Sequence, residues 1–251
     1  MLLLKILLAP ALIGAVTLAG RKWGPGVAGW LLGLPLISGP VLLFLDLEQG
    51  SEFASQAAHA ALLGLIAWAA FCFAYAWSCR KFTWHISTAI GWLAYFCVAA
   101  AVLHLHSGTG TSFALVAIVV ALMLLAFPQG APFHGGVGEA RHELWWRMGT
   151  AAVIVATLTT VAKFLGPVRS GVLTMFPAYT TIFAVFTHRQ QALAAVTVLK
   201  GVTAGLYTQA IFFVVLYFAL LRWTMPLAFA QALAAAVLVQ AVTLFYLRRR
   251  A

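Results

Sequence analysis

The residues with the clearest claim on chemistry are glycines, prolines and hydroxyl residues that occur twice at one spacing. Gly29, Pro35, Ser38 and Gly39 stand in one apolar stretch; Gly171, Pro177, Thr180 and Thr181 stand in another, 142 residues on. Proline removes a helix hydrogen bond and clashes with the preceding turn. In lipid the freed backbone groups need another partner. A helix broken at such a point offers bare amides and the positive end of a dipole, which suits an anion. The competing reading is packing and bending, because Gly and Pro are common in membrane helices and Ser/Thr hydroxyls bond their own backbone. Lys200 falls several residues inside an apolar run, where an ionisable group is costly and marks function unless it snorkels to the interface. Its counterpart 142 residues earlier is Ala58, beside His59, so each half carries a basic group at nearly the same depth.

Other reactive side chains form no recognisable constellation. The five acids, Asp46, Glu48, Glu52, Glu139 and Glu143, fall in or beside predicted loops, which weakens a proton-driven exporter of cations, since such carriers commonly use a carboxylate within the membrane. Asp46, Glu48 and Glu52 suit either a cation-attracting mouth or a solvated loop. His104 and His106 are expected on one side of the membrane and His134 and His142 on the other, so they cannot share a metal. Neither pair has the helix-spaced acid of a zinc protease. Cys72, Cys79 and Cys97 lack a spacing pattern and read as small core residues. Gln49, Gln191, Gln209, Gln231 and Gln240 suit hydrogen bonds between helices. Tyr75 and Tyr217 suit interface positions. There is no Gly-x-Ser-x-Gly elbow, P-loop or intramembrane aspartate pair. No catalytic residue, cofactor or metal is therefore expected, a membrane transferase using His134, Arg141 and His142 being the enzyme alternative.

The elements that must hold these residues are membrane helices. Of 251 residues, 64% are hydrophobic and 8% charged, where a soluble domain is roughly half apolar and about a quarter charged. The apolar runs are long and continuous, unlike alternating barrel strands. Spans are expected near 2–20, 27–45, 54–77, 84–105, 112–128, 148–165, 169–187, 193–220 and 224–246, each close to the roughly 20 residues a bilayer requires. The first run resembles a signal peptide, but its full-length counterpart in the second half argues against cleavage. The formal charge of +10 sits mostly at the ends of apolar runs, where it sets topology; nucleic acid is not an expected partner.

An internal duplication organises the chain. Gly24-Pro25, Gly29 and Pro35 recur as Gly166-Pro167, Gly171 and Pro177. The same offset of 142 pairs Lys5 with Arg147, Leu31 with Leu173, Phe44 with Phe186 and Gln49 with Gln191. It also pairs Phe71 with Phe213, Tyr75 with Tyr217 and Arg80 with Arg222. The expected fold is an all-α polytopic membrane protein of about nine transmembrane helices. Two inverted four-helix repeats, 1–105 and 143–251, flank a linker helix and inner loop, 106–142. With the amino terminus outside and the carboxyl terminus cytoplasmic, ten basic residues fall inside (Arg21, Lys22, Arg80, Lys81, Arg141, Arg147, Arg189 and Arg248 to Arg250). Four fall outside (Lys5, Lys163, Arg169 and Arg222). This agrees with the positive-inside rule. The inversion depends on the fifth segment crossing the membrane.

On Val27-Ala28-Gly29 to Pro35, and on Ser170-Gly171 to Pro177, each half resembles the small four-helix bacterial inner-membrane proteins of the GlpM type. The resemblance implies a short first helix followed by a small-residue and proline motif in the second. The layout of four, one and four helices is also similar to fused fluoride channels and to small multidrug transporters, in layout only. Inverted repeats with interrupted helices in matching positions point to a transport site near the midplane. The expectation is a bacterial inner-membrane transporter or flippase-like protein for a small anionic or phosphate-bearing substrate, with Gly29, Pro35, Ser38, Gly39, His59, Gly171, Pro177, Thr180, Thr181 and Lys200 at the substrate. Its partners are then membrane lipids and a small-molecule or lipid-linked substrate, and a homo-oligomer is compatible. The alternatives are a passive ion channel and a scaffold subunit of an envelope-biogenesis complex.

Overall fold

The structure, a computed structural model, describes residues 34–36, 38–105, 107–131 and 164–250, with Gly149, Val153 and Thr157 besides; for 243–250 only the backbone is described. The expected span 2–20, most of 148–165, most of the polar loop and Gly29 lie outside these residues. Every described element is helical. The helices are α1 (Ser38–Gln49), α2 (Ser51–Ser78), α3 (Trp84–Val102) and α4 (Thr109–Leu125). After these come α5 (164–174), α6 (Ala178–Gln190), α7 (Ala192–Leu220) and α8 (Met225–Arg250). Among the described residues, five helices are long and apolar enough to cross a membrane: α2, α3, the broken pair α5–α6, α7 and α8. This is the character of a multi-pass membrane protein. The expected fifth span appears as α4, which begins at Thr109 and has 17 residues, the lower limit for crossing.

The two longest helices form the centre. Almost all of α2 from Ala54 to Cys72 is buried, as suits a helix apolar on every side. Its small residues let other backbones come close. Helices α2 and α7 pack together along their length and run antiparallel. At one end the Cys79 thiol donates to the Ala192 carbonyl at 3.6 Å. At the other, the His59 ring meets Tyr217 edge-on with centroids 5.6 Å apart. Helix α4 crosses the same thickness beside both. Ser112, near its start, pairs with His59 at 2.9 Å. Phe127, just past its end, packs on Phe73 at 5.9 Å, and the Tyr207 hydroxyl on α7 donates to the Ala117 carbonyl. Thr197 on α7 then holds the chain after α4 by donating to the Ala131 carbonyl at 2.7 Å.

The broken pair α5–α6 lies along α2 and parallel to it. Gly171 abuts Ala57 and Ala60, and Gly64 abuts Val172 and Met175. Further on, Tyr179 meets Trp68, and His188 meets Tyr75. Helix α3 braces the pair from outside, presenting Leu93 and Phe96 outward. Helix α8 covers α7 in the same manner, with Leu233, Val237 and Leu238 outward. Cys97 is exposed on the outer side of α3, whereas Cys72 and Cys79 are buried; only the latter two are core residues, because α3 has one apolar face left over after packing. Tyr75, expected at an interface, is buried within the bundle. Its hydroxyl pairs with His188 Nδ1 at 3.2 Å, since the end of α6 packs over that position.

Candidate functional site

Proline sets the local structure at both interruptions, and the two have the same form. At the first, the Leu36 amide donates to the Leu34 carbonyl at 2.8 Å and the Gly39 amide to the Pro35 carbonyl at 2.9 Å. At the second, the Ala178 amide donates to the Phe176 carbonyl at 2.8 Å and the Thr181 amide to the Pro177 carbonyl at 2.8 Å. Each of these bonds lies 142 residues from its counterpart. The break ends α5 with i+3 bonds, from the Met175 amide to the Val172 carbonyl and from the Phe176 amide to the Leu173 carbonyl. The Tyr95 hydroxyl on α3 also donates to the Val172 carbonyl at 2.9 Å. That contact supplies the second partner a carbonyl needs where a helix stops in an apolar setting.

The two interruptions face one another across a single small cavity. Leu34, Leu36 and Ser38 line it from the first; Thr174, Phe176, Ala178 and Tyr179 line it from the second; Trp68 and Gln209 close it from α2 and α7. Its volume is ≈ 10 Å³, about enough for one water. The amino-terminal turns of α1 and α6 both begin here. Neither helix start is satisfied by a capping side chain of its own: Pro177 makes no side-chain cap bond, and Ser38 Oγ has no hydrogen-bond partner. Trp68 Nε1, Thr180 Oγ1 and Gln209 Oε1 are likewise buried without a partner. Ser38 and Thr180 occupy equivalent positions in the two halves, and Trp68 and Gln209 are one residue out of register. A buried unpaired polar group costs about 1–3 kcal/mol. Three of them, on Ser38, Trp68 and Gln209, line the one cavity, which is unusual enough in a native fold to require an explanation. The Tyr179 hydroxyl lies among the side chains of Thr180 and Gln209. Among the described residues, no three His, Cys, Asp or Glu side chains group as metal ligands.

Comparison with known proteins returns nothing. No family model, curated protein or solved structure matches the chain. The site therefore rests on its own geometry, and the GlpM-type resemblance on the residues that carry it.

The expected site residues separate into three groups. Ser38, Thr180 and Pro177 belong to the junction, with Pro35 buried at its edge. Thr181 adjoins it with its hydroxyl engaged, donating to the Pro177 carbonyl at 2.7 Å and accepting from Trp92 Nε1 at 3.2 Å. Gly39 adjoins it too, and a Cβ there would meet only ordinary contacts at 3.8 and 3.9 Å. Gly171 serves packing: a Cβ would strike the Ala57 carbonyl and come within 2.8 Å of Ala60 Cβ. His59 and Lys200 lie elsewhere. Each is the ninth residue of its helix, so the antiparallel pairing of α2 and α7 sends them toward opposite ends. His59 is bonded to Ser112, and Lys200 is exposed on the outer side of α7. Asp46, expected in a loop, is instead buried in α1. Trp68 and the role of Gln209 escape the repeat search, because exact pairing at 142 sets Trp68 against Ala210 and Gln209 against Ala67.

Proposed function

We propose that this protein is a transporter of small anions, built from two inverted repeats, whose substrate site is the junction between its two interrupted helices. The observation that carries this reading is the pair of matching backbone turns at Pro35 and Pro177, which bring two helix starts to one small cavity lined by three unpartnered polar groups, on Ser38, Trp68 and Gln209. Helix starts attract negative charge through their free amides and dipoles. Interrupted helices in corresponding positions of two repeats are the pattern of alternating-access carriers.

Three features support inversion. The equivalent helices α2 and α7 are antiparallel. The intervening α4 runs along α2 from the level of His59 to that of Phe73. The equivalent tyrosines Tyr75 and Tyr217 each meet a histidine, His188 and His59, at opposite ends. Placed in a bacterial inner membrane with its amino terminus outside, the chain keeps most of its basic residues inside. Rocking of one repeat against the other would open the junction to each side in turn. A cavity of only ≈ 10 Å³ favours this over a standing pore.

The test is protein-dependent anion flux from vesicles loaded with the purified full chain. Saturable uptake that is accelerated by substrate on the far side is expected. Single-channel current would replace the carrier with a channel, and the absence of flux for every anion tried would refute the reading. Ser38→Ala and Trp68→Phe are expected to cut flux about tenfold while leaving the melting temperature unchanged or higher, since each removes a buried polar group that lacks a partner.

A further inference from the structure

Resting on the junction as the substrate site, we infer that its cargo is a small monovalent anion of halide size, stripped of water, and that dianionic phosphate and sulfate are excluded. Space is the first argument. A cavity of ≈ 10 Å³ accepts one atom or ion about as large as a water. A tetrahedral oxyanion has four oxygens and a central atom, and would have to drive α1, α6, Trp68 and Gln209 apart.

Charge is the second argument. None of the described lining residues is Lys, Arg or His. Lys200 is exposed on the far side of α7, and His59 and His188 sit toward the two ends, engaged with Ser112 and Tyr75. Among the described residues, positive charge at the junction comes from the helix starts alone. Each helix start carries the equivalent of roughly +0.5 elementary charge, so α1 and α6 together balance about one negative charge. A second charge would be buried unpaired, which is prohibitive in such a setting. An Arg or Lys side chain would supply charge-assisted bonds for the second charge, and none of the described lining residues is either.

The donor set is the third argument. The Ser38 hydroxyl and the Trp68 N–H line the cavity, buried and without a partner, and each can donate to an anion. Ser38 approaches from the start of α1 and Trp68 from α2. Two neutral donors beside two helix starts replace part of the hydration shell of a small spherical ion, and offer nothing to the outer oxygens of a larger one.

The experiment measures efflux from phosphatidylethanolamine–phosphatidylglycerol vesicles containing the full chain, loaded in parallel with chloride, sulfate or phosphate. Chloride efflux is expected at least about tenfold above protein-free vesicles, with sulfate and phosphate at background. Trp68→Phe and Ser38→Ala are each expected to reduce chloride efflux about tenfold, the factor corresponding to one hydrogen bond of ordinary strength, with unchanged melting. Sulfate or phosphate efflux equal to that of chloride would overturn this inference and leave the anion-transporter reading standing. Chloride efflux indifferent to both substitutions would overturn it by moving the ion path away from the junction. Background efflux for all three ions would overturn both.

Discussion

Replacing Gly171 by alanine tests how the interrupted helix is held. The added methyl would strike the Ala57 carbonyl and lie 2.8 Å from Ala60 Cβ. The obstacle is the backbone of α2, the most buried helix of the bundle, which cannot turn aside as a flexible side chain would. Restoring ordinary contact requires α5 and α2 to part by about 1 Å, and a gap of that size forfeits a quarter to a half of the dispersion energy of each contact across it. The contacts at risk include Gly64 against Met175 and Val172. Overpacking of this kind costs about 1–3 kcal/mol, offset in part by the better helix propensity of alanine, up to about 1 kcal/mol. A net loss of about 1–2 kcal/mol lowers the melting temperature of a chain this long by about 2–8 °C. Gly201→Ala is the control. A Cβ there meets nothing within 4 Å, so the propensity gain stands alone and melting is expected to rise. Both variants are followed by fluorescence-detected thermal unfolding in one detergent. A Gly171→Ala protein that melts with or above the parent would refute the packing account, and Gly171 would return to the list of substrate residues.

Three further outcomes are expected. Tyr95→Phe removes one bond to the Val172 carbonyl, which keeps the Met175 amide, so stability is expected to fall by about 0.5–1.5 kcal/mol; a larger loss by the same melting assay would show that the tyrosine supports more than that carbonyl. Burial pushes the Cys79 thiol up to about 11, leaving roughly a thousandth as thiolate near pH 8 and little reactivity. Maleimide labelling of folded protein is therefore expected to spare Cys79, read by mass spectrometry, and rising labelling of Cys79 on denaturation completes the check. In a cysteine-free background, a membrane-impermeant thiol reagent added to intact cells is expected to label Trp223→Cys and to spare Phe82→Cys, although the two turns are equivalent in the duplication. Equal labelling would show that the repeats are parallel.

Much of this architecture was legible in the residues. Helical bounds follow from the apolar runs because a bilayer enforces both length and backbone satisfaction. The two proline breaks follow from their shared spacing. The junction was half legible: Ser38 and Thr180 are repeat partners, but Trp68 and Gln209 sit one position out of register, so a search for identical positions passes over them. Direction came from the charges alone, and the equal depth expected of His59 and Lys200 did not carry the inversion through. Whether His59 and Lys200 meet depends on how α2 and α7 are paired, and spacing along one chain carries no information on that. The burial of Asp46 was likewise unreadable, since a carboxylate three residues from a helix end looks the same in sequence whether it faces water or the bundle.

The length of the central helices bears on how the protein sits in its bilayer. With 28 and 29 residues, α2 and α7 are about 42–44 Å long, against a hydrocarbon thickness of about 30 Å. A typical tilt of about 20° shortens that reach by only a few ångströms. Each helix end therefore stands about 5 Å clear of the hydrocarbon, and Lys200, about 12 Å along α7, starts some 7 Å below the boundary, within reach of the headgroups for its stem. The lysine then acts as a depth gauge. A thicker bilayer would draw its amine into lipid, a thinner one would bare apolar turns at both ends of the central pair, and the protein is matched to membranes of a narrow range of thickness.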